Sequence, residues 1–135
     1  MLRYLLDTDV AIALLRRQKG IDLDRFFANS GRLAISTISI EELEFGAYRS
    51  AFPERNLKAN DELLAQLKIQ DFNRYAAAHA AEVRATLAVR GTPIGSYDSQ
   101  IAGHARSLGL TVVTGNTREF ERVPGLLVEN WIGGE

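Results

Sequence analysis

No cysteine occurs anywhere in the 135 residues. That excludes a disulfide framework, a Cys-ligated zinc site and a thiol nucleophile. It fits a reducing compartment without requiring one. Histidine is almost as scarce. His79 and His104 form no H-x-x-x-H pair, so zinc is not expected, and each reads as a packing or surface residue. Long apolar runs are missing as well. The opening Met1 to Leu6 is too short for a signal peptide and is interrupted by Asp7. Nothing approaches the roughly 20 apolar residues of a membrane span. The expectation is a soluble, cytoplasmic protein with no membrane partner. Neither sign of charge dominates: 16 Lys and Arg against 17 Asp and Glu leave a net charge of −1. Phosphate neutralisation normally shows as a basic excess, so any nucleic-acid binding must rest on local charge. Arg3, Arg16, Arg17 and Lys19 form one basic group, and Arg84, Arg90, Arg106, Arg118 and Arg122 are scattered later. Walker, G-x-G-x-x-G and G-x-S-x-G motifs are also lacking.

What is present is an alternation of short apolar runs with helical periodicity. Tyr4-Leu5-Leu6 reads as a buried strand ending at Asp7, followed by a helix from Val10 to Arg17 capped by Asp7, Thr8 or Asp9. Gly20 stops it. A second helix is expected over 21–29, a strand over 33–36, a helix over 39–48, and another from Pro53 to Leu67. A short strand follows at 68–71. Phe72, Tyr75, Ala76, Ala80, Val83 and Leu87 recur at i, i+3, i+4 spacing and predict a long helix over 72–90. Ser96 or Asp98 opens a helix that reaches Leu108 and closes at Gly109. A β-branched strand at 110–113, a short helix at 118–121 and a last strand at 126–128 complete the pattern. Such alternation argues for an α/β fold, with a parallel sheet covered by helices on both faces. Neither a linker nor a repeat interrupts the chain, so one domain over residues 1–135 is expected.

Three acids stand where the chain leaves buried structure. Asp7 ends the first strand, Glu42 lies in the helix after the second, and Asp98 begins the helix before the fourth. In an open α/β sheet, ligands sit beyond the carboxyl ends of the strands, where these positions can meet. Two like charges about 4 Å apart repel by ~4 kcal/mol at an effective dielectric near 20. A hard divalent cation with oxygen ligands removes that penalty. Taken singly, Asp7 and Asp98 read equally as helix caps, and Glu42 as a solvated helix residue. The helical wheel does not separate Glu41, Glu42 and Glu44.

Four blocks carry a resemblance that goes further. Leu5-Leu6-Asp7-Thr8-Asp9 resembles the opening L-D-T-N of PIN domains. Ile35 to Ile38 followed by Glu41-Glu42-Leu43 and Gly46-Ala47 resembles their second block. The segment from Gly91 to Asp98, continuing through Ile101-Ala102 and His104-Ala105, looks like their third, and Val112 to Phe120 like their fourth. Val123-Pro124-Gly125-Leu126 to Asn130-Trp131 continues as VapC-type toxins do. The match runs in order along essentially the whole chain. It implies a PIN-like three-layer α/β/α sandwich around a central parallel sheet of four to five strands. It also implies that Asp7, Glu42 and Asp98 are the catalytic acids and hold Mg²⁺, with Mn²⁺ as the alternative. Glu42 is preferred because it directly precedes Leu43 in the family's E-L pair. Asn116 stands where the family's fourth acid often falls, and Glu119 is the other candidate for that place. Thr8 and Thr114 are the hydroxyls best placed to bind substrate; Ser96 and Thr117 lie at the same end of the sheet.

The resemblance further implies an endoribonuclease toxin of a type II toxin–antitoxin pair. It would cut structured RNA, initiator tRNA in the anticodon region among close relatives, and so inhibit translation. A VapB-type antitoxin and a homodimer come with that reading. Phe45, Tyr48, Phe52 and Leu57, on the helices around 39–67, are the candidate antitoxin groove, or simply core. Two rivals remain. Asn116 in place of an acid fits a non-cleaving PIN scaffold. Asp7-Thr8-Asp9 is also the opening of haloacid-dehalogenase-like phosphatases, but the later Lys and paired-Asp motifs of that family are not evident. Trp131 is expected to cover the core near the C-terminus.

Overall fold

The sheet is built from strands whose successive side chains alternate between two apolar layers, as a sheet buried on both faces requires. The computed structural model describes residues 1–133. Its strands are β1 (Tyr4–Leu6), β2 (Leu33–Ser36), β3 (Lys68–Gln70), β4 (Thr111–Val113) and β5 (Val128–Glu129). They form one sheet in the order β3-β2-β1-β4-β5, with every pairing parallel. Tyr4 and Leu6, Leu33 and Ile35, and Val113 face one core; Leu5, Ala34 and Val112 face the other.

The first core is closed by α1 (Thr8–Leu15), α2 (Leu23–Ala28), α3 (Thr37–Tyr48) and α4 (Pro53–Leu64), through Val10, Ala11, Phe26, Leu43 and Leu63. The second is closed by α5 (Arg74–Val89), α6 (Ser96–Leu108) and α7 (Thr117–Phe120), through Val83, Leu87, Ile101, Ala102, Ala105 and Phe120. This is the expected three-layer α/β/α sandwich, with five strands. Trp131 is buried in the first core, edge-on to Tyr4 at 4.9 Å between ring centroids. Among the described residues no helix is long and apolar enough to cross a membrane.

Several boundaries differ from those predicted, and capping explains most of them. The first helix begins at Thr8, not Val10, because the Asp7 side chain accepts Thr8 N–H at 2.8 Å. It ends at Leu15, and Arg17 then adopts a φ of 48°. The long helix begins at Arg74, not Phe72, because Asn73 Oδ1 accepts the N–H groups of Tyr75 and Ala76. Phe72 therefore lies outside the helix, edge-on to His104, and Tyr75 is exposed. The last strand is Val128–Glu129, later than the predicted 126–128. Pro124-Gly125 forms the turn before it, and pairing with β4 sets the register as Val112 opposite Val128. His104 is a packing residue, as expected. It is buried, its Nδ1 lies 2.9 Å from Ser36 Oγ, and burial pulls its pKa below the ordinary imidazole value.

Helices α5 and α6 of the second layer touch at Gly103. A Cβ there would stand 2.3 Å from the backbone N of Ala80, and backbone cannot swing aside. Gly103→Ala is expected to destabilise the protein by about 3 kcal/mol, the upper end of overpacking costs. Urea unfolding checks this, and a midpoint equal to that of the unaltered chain contradicts it.

Candidate active site

The chain leaves β1 in one direction to lay down β2 and β3, then returns to the other side of β1 for β4 and β5. The reversal makes the carboxyl ends of β1 and β4 a topological switch point, where α/β sheets open a crevice. Asp7 N–H donates to Val113 O at 2.9 Å, so Asp7 sits at that crevice immediately beyond both strands. The residue is buried, 6% exposed. Oδ1 accepts Thr8 N–H at 2.8 Å and Oδ2 accepts the Thr114 hydroxyl at 2.8 Å. The cap and the site are therefore one residue: Asp7 closes α1 and presents the same carboxylate to the crevice.

Three further carboxylates reach this place. Asp7, Asp9, Glu42 and Asp98 line a single cavity of about 300 Å³ together with Thr8, Ile12 and Asn116. Asp9 is in the first turn of α1, and its Oδ2 accepts Gly115 N–H at 2.9 Å. Glu42 comes from α3. It accepts the Thr8 hydroxyl through Oε1. Because a carboxylate only accepts, Thr8 gives its proton to Glu42 and receives one from Ser39 Oγ, 2.8 Å away. Asp98 is in the first turn of α6, where Asn116 Nδ2 donates to its Oδ2 at 3.3 Å. Asn116 N–H in turn donates to Thr114 Oγ1 at 2.9 Å.

Electrostatics follow from this crowding. Burial first, then the charge of Asp9, push the Asp7 pKa up to about 7, against the opposing pull of the Thr114 and Thr8 hydrogen bonds. Burial and the charge of Glu119 push Asp98 up to about 6, with Glu42 and Asp9 adding to it. Burial also raises Asp9.

Asp7, Glu42 and Asp98 thus meet, as their places in the chain suggested. Asn116 lines the cavity, and Glu119 stands beside Asp98 without lining it. Thr8 and Thr114 are at the site, with their hydroxyls engaged by Glu42 and Asp7. Ser96 lines a different pocket, on the α5 side. Three participants escaped the sequence reading. Asp9 stood out only as a cap candidate and as half of an Asp-x-Asp pair, Ser39 as the start of a helix, and Gly115 as one residue of the fourth block.

A divalent cation fits this wall of oxygens on two observations. Four carboxylates share one cavity, and Asp9 Oδ1 is buried with no hydrogen-bond partner. Among the described residues, no three His, Cys, Asp or Glu side chains are drawn together tightly enough to be a finished coordination sphere. The acids form the wall of a binding cavity, not a closed cage.

The fold and the acidic crevice define an α/β protein with a carboxylate-lined cavity at the switch point of its parallel sheet. The family model of the PIN domain matches residues 4–126, and the chain belongs to the PIN-domain family. It is 45% identical over 131 residues, 97% of this chain and 99% of the relative, to the tRNA(fMet)-specific endonuclease VapC of Salmonella typhimurium. It is 43% identical over 132 residues to Ribonuclease VapC2 of Haemophilus influenzae, covering 98% and 100% of the two chains. The crystal structure of DNA-bound VapBC from Salmonella typhimurium superimposes with a TM-score of 0.92 at 45% identity, covering 97% of this chain and 99% of that one.

The raised pKa of Asp98 has a consequence for stability. A carboxyl whose folded pKa lies above its unfolded value, here about 6 against 3.8, stabilises the fold while protonated in both states, below the unfolded value. That stability is lost as pH rises through the folded value. Asp98→Asn is therefore expected to raise the Tm in EDTA at pH 8 by roughly 3 °C, with the gain vanishing near pH 4. Thermal melts of both proteins across this range check it. His104 loses stability below about 6.5 in both and cancels in the difference. A lower Tm for Asp98→Asn at pH 8 contradicts the expectation and assigns Asp98 a capping role.

Proposed function

We propose that the protein is a metal-dependent endoribonuclease toxin of a type II toxin–antitoxin pair. The single observation that carries this is the convergence of Asp7, Asp9, Glu42 and Asp98 on one cavity at the switch point of a PIN fold. The names of the relatives, which are VapC ribonucleases and endonucleases, support it. In this reading the whole chain is one PIN domain acting in the cytoplasm.

Asp7, Glu42 and Asp98 are the proposed catalytic acids and would hold Mg²⁺, with Mn²⁺ as the alternative. A phosphodiester carries negative charge and is repelled by four carboxylates, so substrate and site are compatible only across a cation. When bound, that cation lowers the pKa of water and stabilises charge developing on the phosphate. The chain's own part is orientation. Thr114 and the Thr8 N–H fix both oxygens of Asp7, the Thr8 hydroxyl fixes Glu42, and Asn116 fixes Asp98. Thr8 and Thr114 thus serve substrate binding by setting the acids rather than by touching RNA. Asn116 and Glu119 complete the site around Asp98, the first by its amide and the second by its charge.

The proposed substrate is structured RNA, and the relative named for tRNA(fMet) supports initiator tRNA; a cut in the anticodon region, inhibiting translation, belongs to the same proposal. Loop shape and phosphate contacts would carry recognition. The VapBC complex supports a VapB-type antitoxin as partner, and a homodimeric toxin is part of the same proposal. The groove beside the acidic cavity suits an antitoxin tail. It is lined by Ile12, Leu15, Leu43 and Ala47 and shares Glu42 and Ile12 with the acidic cavity. Of Phe45, Tyr48, Phe52 and Leu57, the other residues proposed for antitoxin contact, Phe45 and Tyr48 on α3 and Phe52 before α4 are exposed, and Leu57 on α4 is partly buried.

Asn116 in place of an acid favours a second reading, a scaffold that binds RNA without cutting it. One experiment separates them. Purified protein is expected to cleave initiator tRNA with Mg²⁺, to stop in EDTA, and to lose at least roughly 100-fold in rate in Asp7→Ala and Glu42→Gln, given that even outer-shell changes at metal sites cost 10–100-fold. RNA binding without cleavage would establish the scaffold. Release of phosphate from small esters would establish the phosphatase alternative.

A further inference from the structure

Asp9 lines the cavity with Asp7, Glu42 and Asp98, and its two oxygens are treated unequally. Oδ2 accepts Gly115 N–H at 2.9 Å. Oδ1 is buried and has no partner. An unsatisfied buried acceptor is costly, and a charged one more so. The surroundings nonetheless hold it in place. A Cβ on residue 115 would stand 2.9 Å from Asp9 Oδ2 and 3.2 Å from Ile132 Cδ1, so glycine at this position is what lets the carboxylate seat against the turn after β4.

One explanation is a strut: Asp9 ties α1 to the turn that carries Thr114 and Asn116. A strut needs only one acceptor oxygen. Asparagine would accept Gly115 N–H equally well, without placing a fourth negative charge beside three others. The charge and the idle Oδ1 are what the strut leaves unexplained, and both are what a hard cation takes.

We propose that Asp9 is a further cation-binding residue of this chain, with Oδ1 the oxygen it offers. The inference rests on the reading of the cavity as a divalent-cation site. It adds to Asp7, Glu42 and Asp98 a ligand whose approach is set by Gly115 and not by a strand end.

The test is titration of the metal-free full-length protein with Mn²⁺, following free Mn²⁺ by electron paramagnetic resonance. Asp9→Asn keeps an oxygen for Gly115 N–H and removes the charge. Gly115→Ala keeps every charge and displaces the Asp9 side chain. Glu62→Gln removes one exposed charge on α4, away from the cavity. Asp9→Asn is expected to weaken Mn²⁺ binding at least tenfold, Gly115→Ala several-fold, and Glu62→Gln less than twofold. Circular dichroism of the metal-free proteins is expected to show the same fold for all of them. Asp9→Asn binding like the unaltered chain while Asp98→Asn is weakened would overturn the role of Asp9 and leave the site standing. Equal weakening by Asp9→Asn and Glu62→Gln would overturn it too, leaving only the general field. Failure of the unaltered chain to bind Mn²⁺ would overturn the cation site itself and this inference with it.

Discussion

A carboxylate almost wholly removed from water, at the junction of two parallel strands and a helix, is the constraint on which the rest of this molecule depends. Asp7 is held there by a helix N–H and a threonine hydroxyl, both of which favour its ionised form. Burial and the neighbouring Asp9 oppose them strongly enough to carry the pKa up to about 7. Near neutral pH the group is thus balanced between holding a proton and exposing a charge to its neighbours. A divalent cation held by Asp7 would resolve that conflict by standing in for the proton, and Asp9, Glu42 and Asp98 line the same cavity.

The architecture delivers those acids because each is attached to a different part of the switch point. Asp7 follows β1, Asp9 lies in the first turn of α1, Glu42 projects from the helix after β2, and Asp98 lies in the first turn of α6 on the opposite layer. Two threonines and an asparagine then knit the elements together. Thr8 joins α1 to Glu42, Thr114 joins β4 to Asp7, and Asn116 joins the turn after β4 to Asp98. The burial of Leu5, Leu6, Val112 and Val113 makes this junction rigid, so the hydrogen bonds start from fixed backbone.

Much of this was legible in the chain itself, and the parts that were not have identifiable reasons. The central strands β1, β2 and β4 showed because each is a short buried run rich in apolar residues and bounded by turn residues. The acids at their ends showed because a parallel sheet sends its strand ends to one edge. Glu42 could not be told from Glu41 or Glu44 by helical spacing, since the apolar positions of α3 face two directions. Only the E-L pair of the family pointed to it, and its contact with Thr8 agrees. The helix starts at Thr8 and Arg74 were misplaced by two residues because capping by Asp7 and Asn73 is a side-chain event that periodicity does not register. Asp9 and Gly115 were missed for a related reason: their importance lies in a contact between residues 106 positions apart.

In the proposed enzyme the cavity lined by Asp7, Glu42 and Asp98 holds a divalent cation. The most direct measurement is anomalous diffraction from crystals grown with Mn²⁺. A peak is expected within coordination distance, about 2.0–2.6 Å, of carboxylate oxygens from at least two of these three residues. A cavity without such a peak, at a Mn²⁺ concentration that supports RNA cleavage, would contradict it.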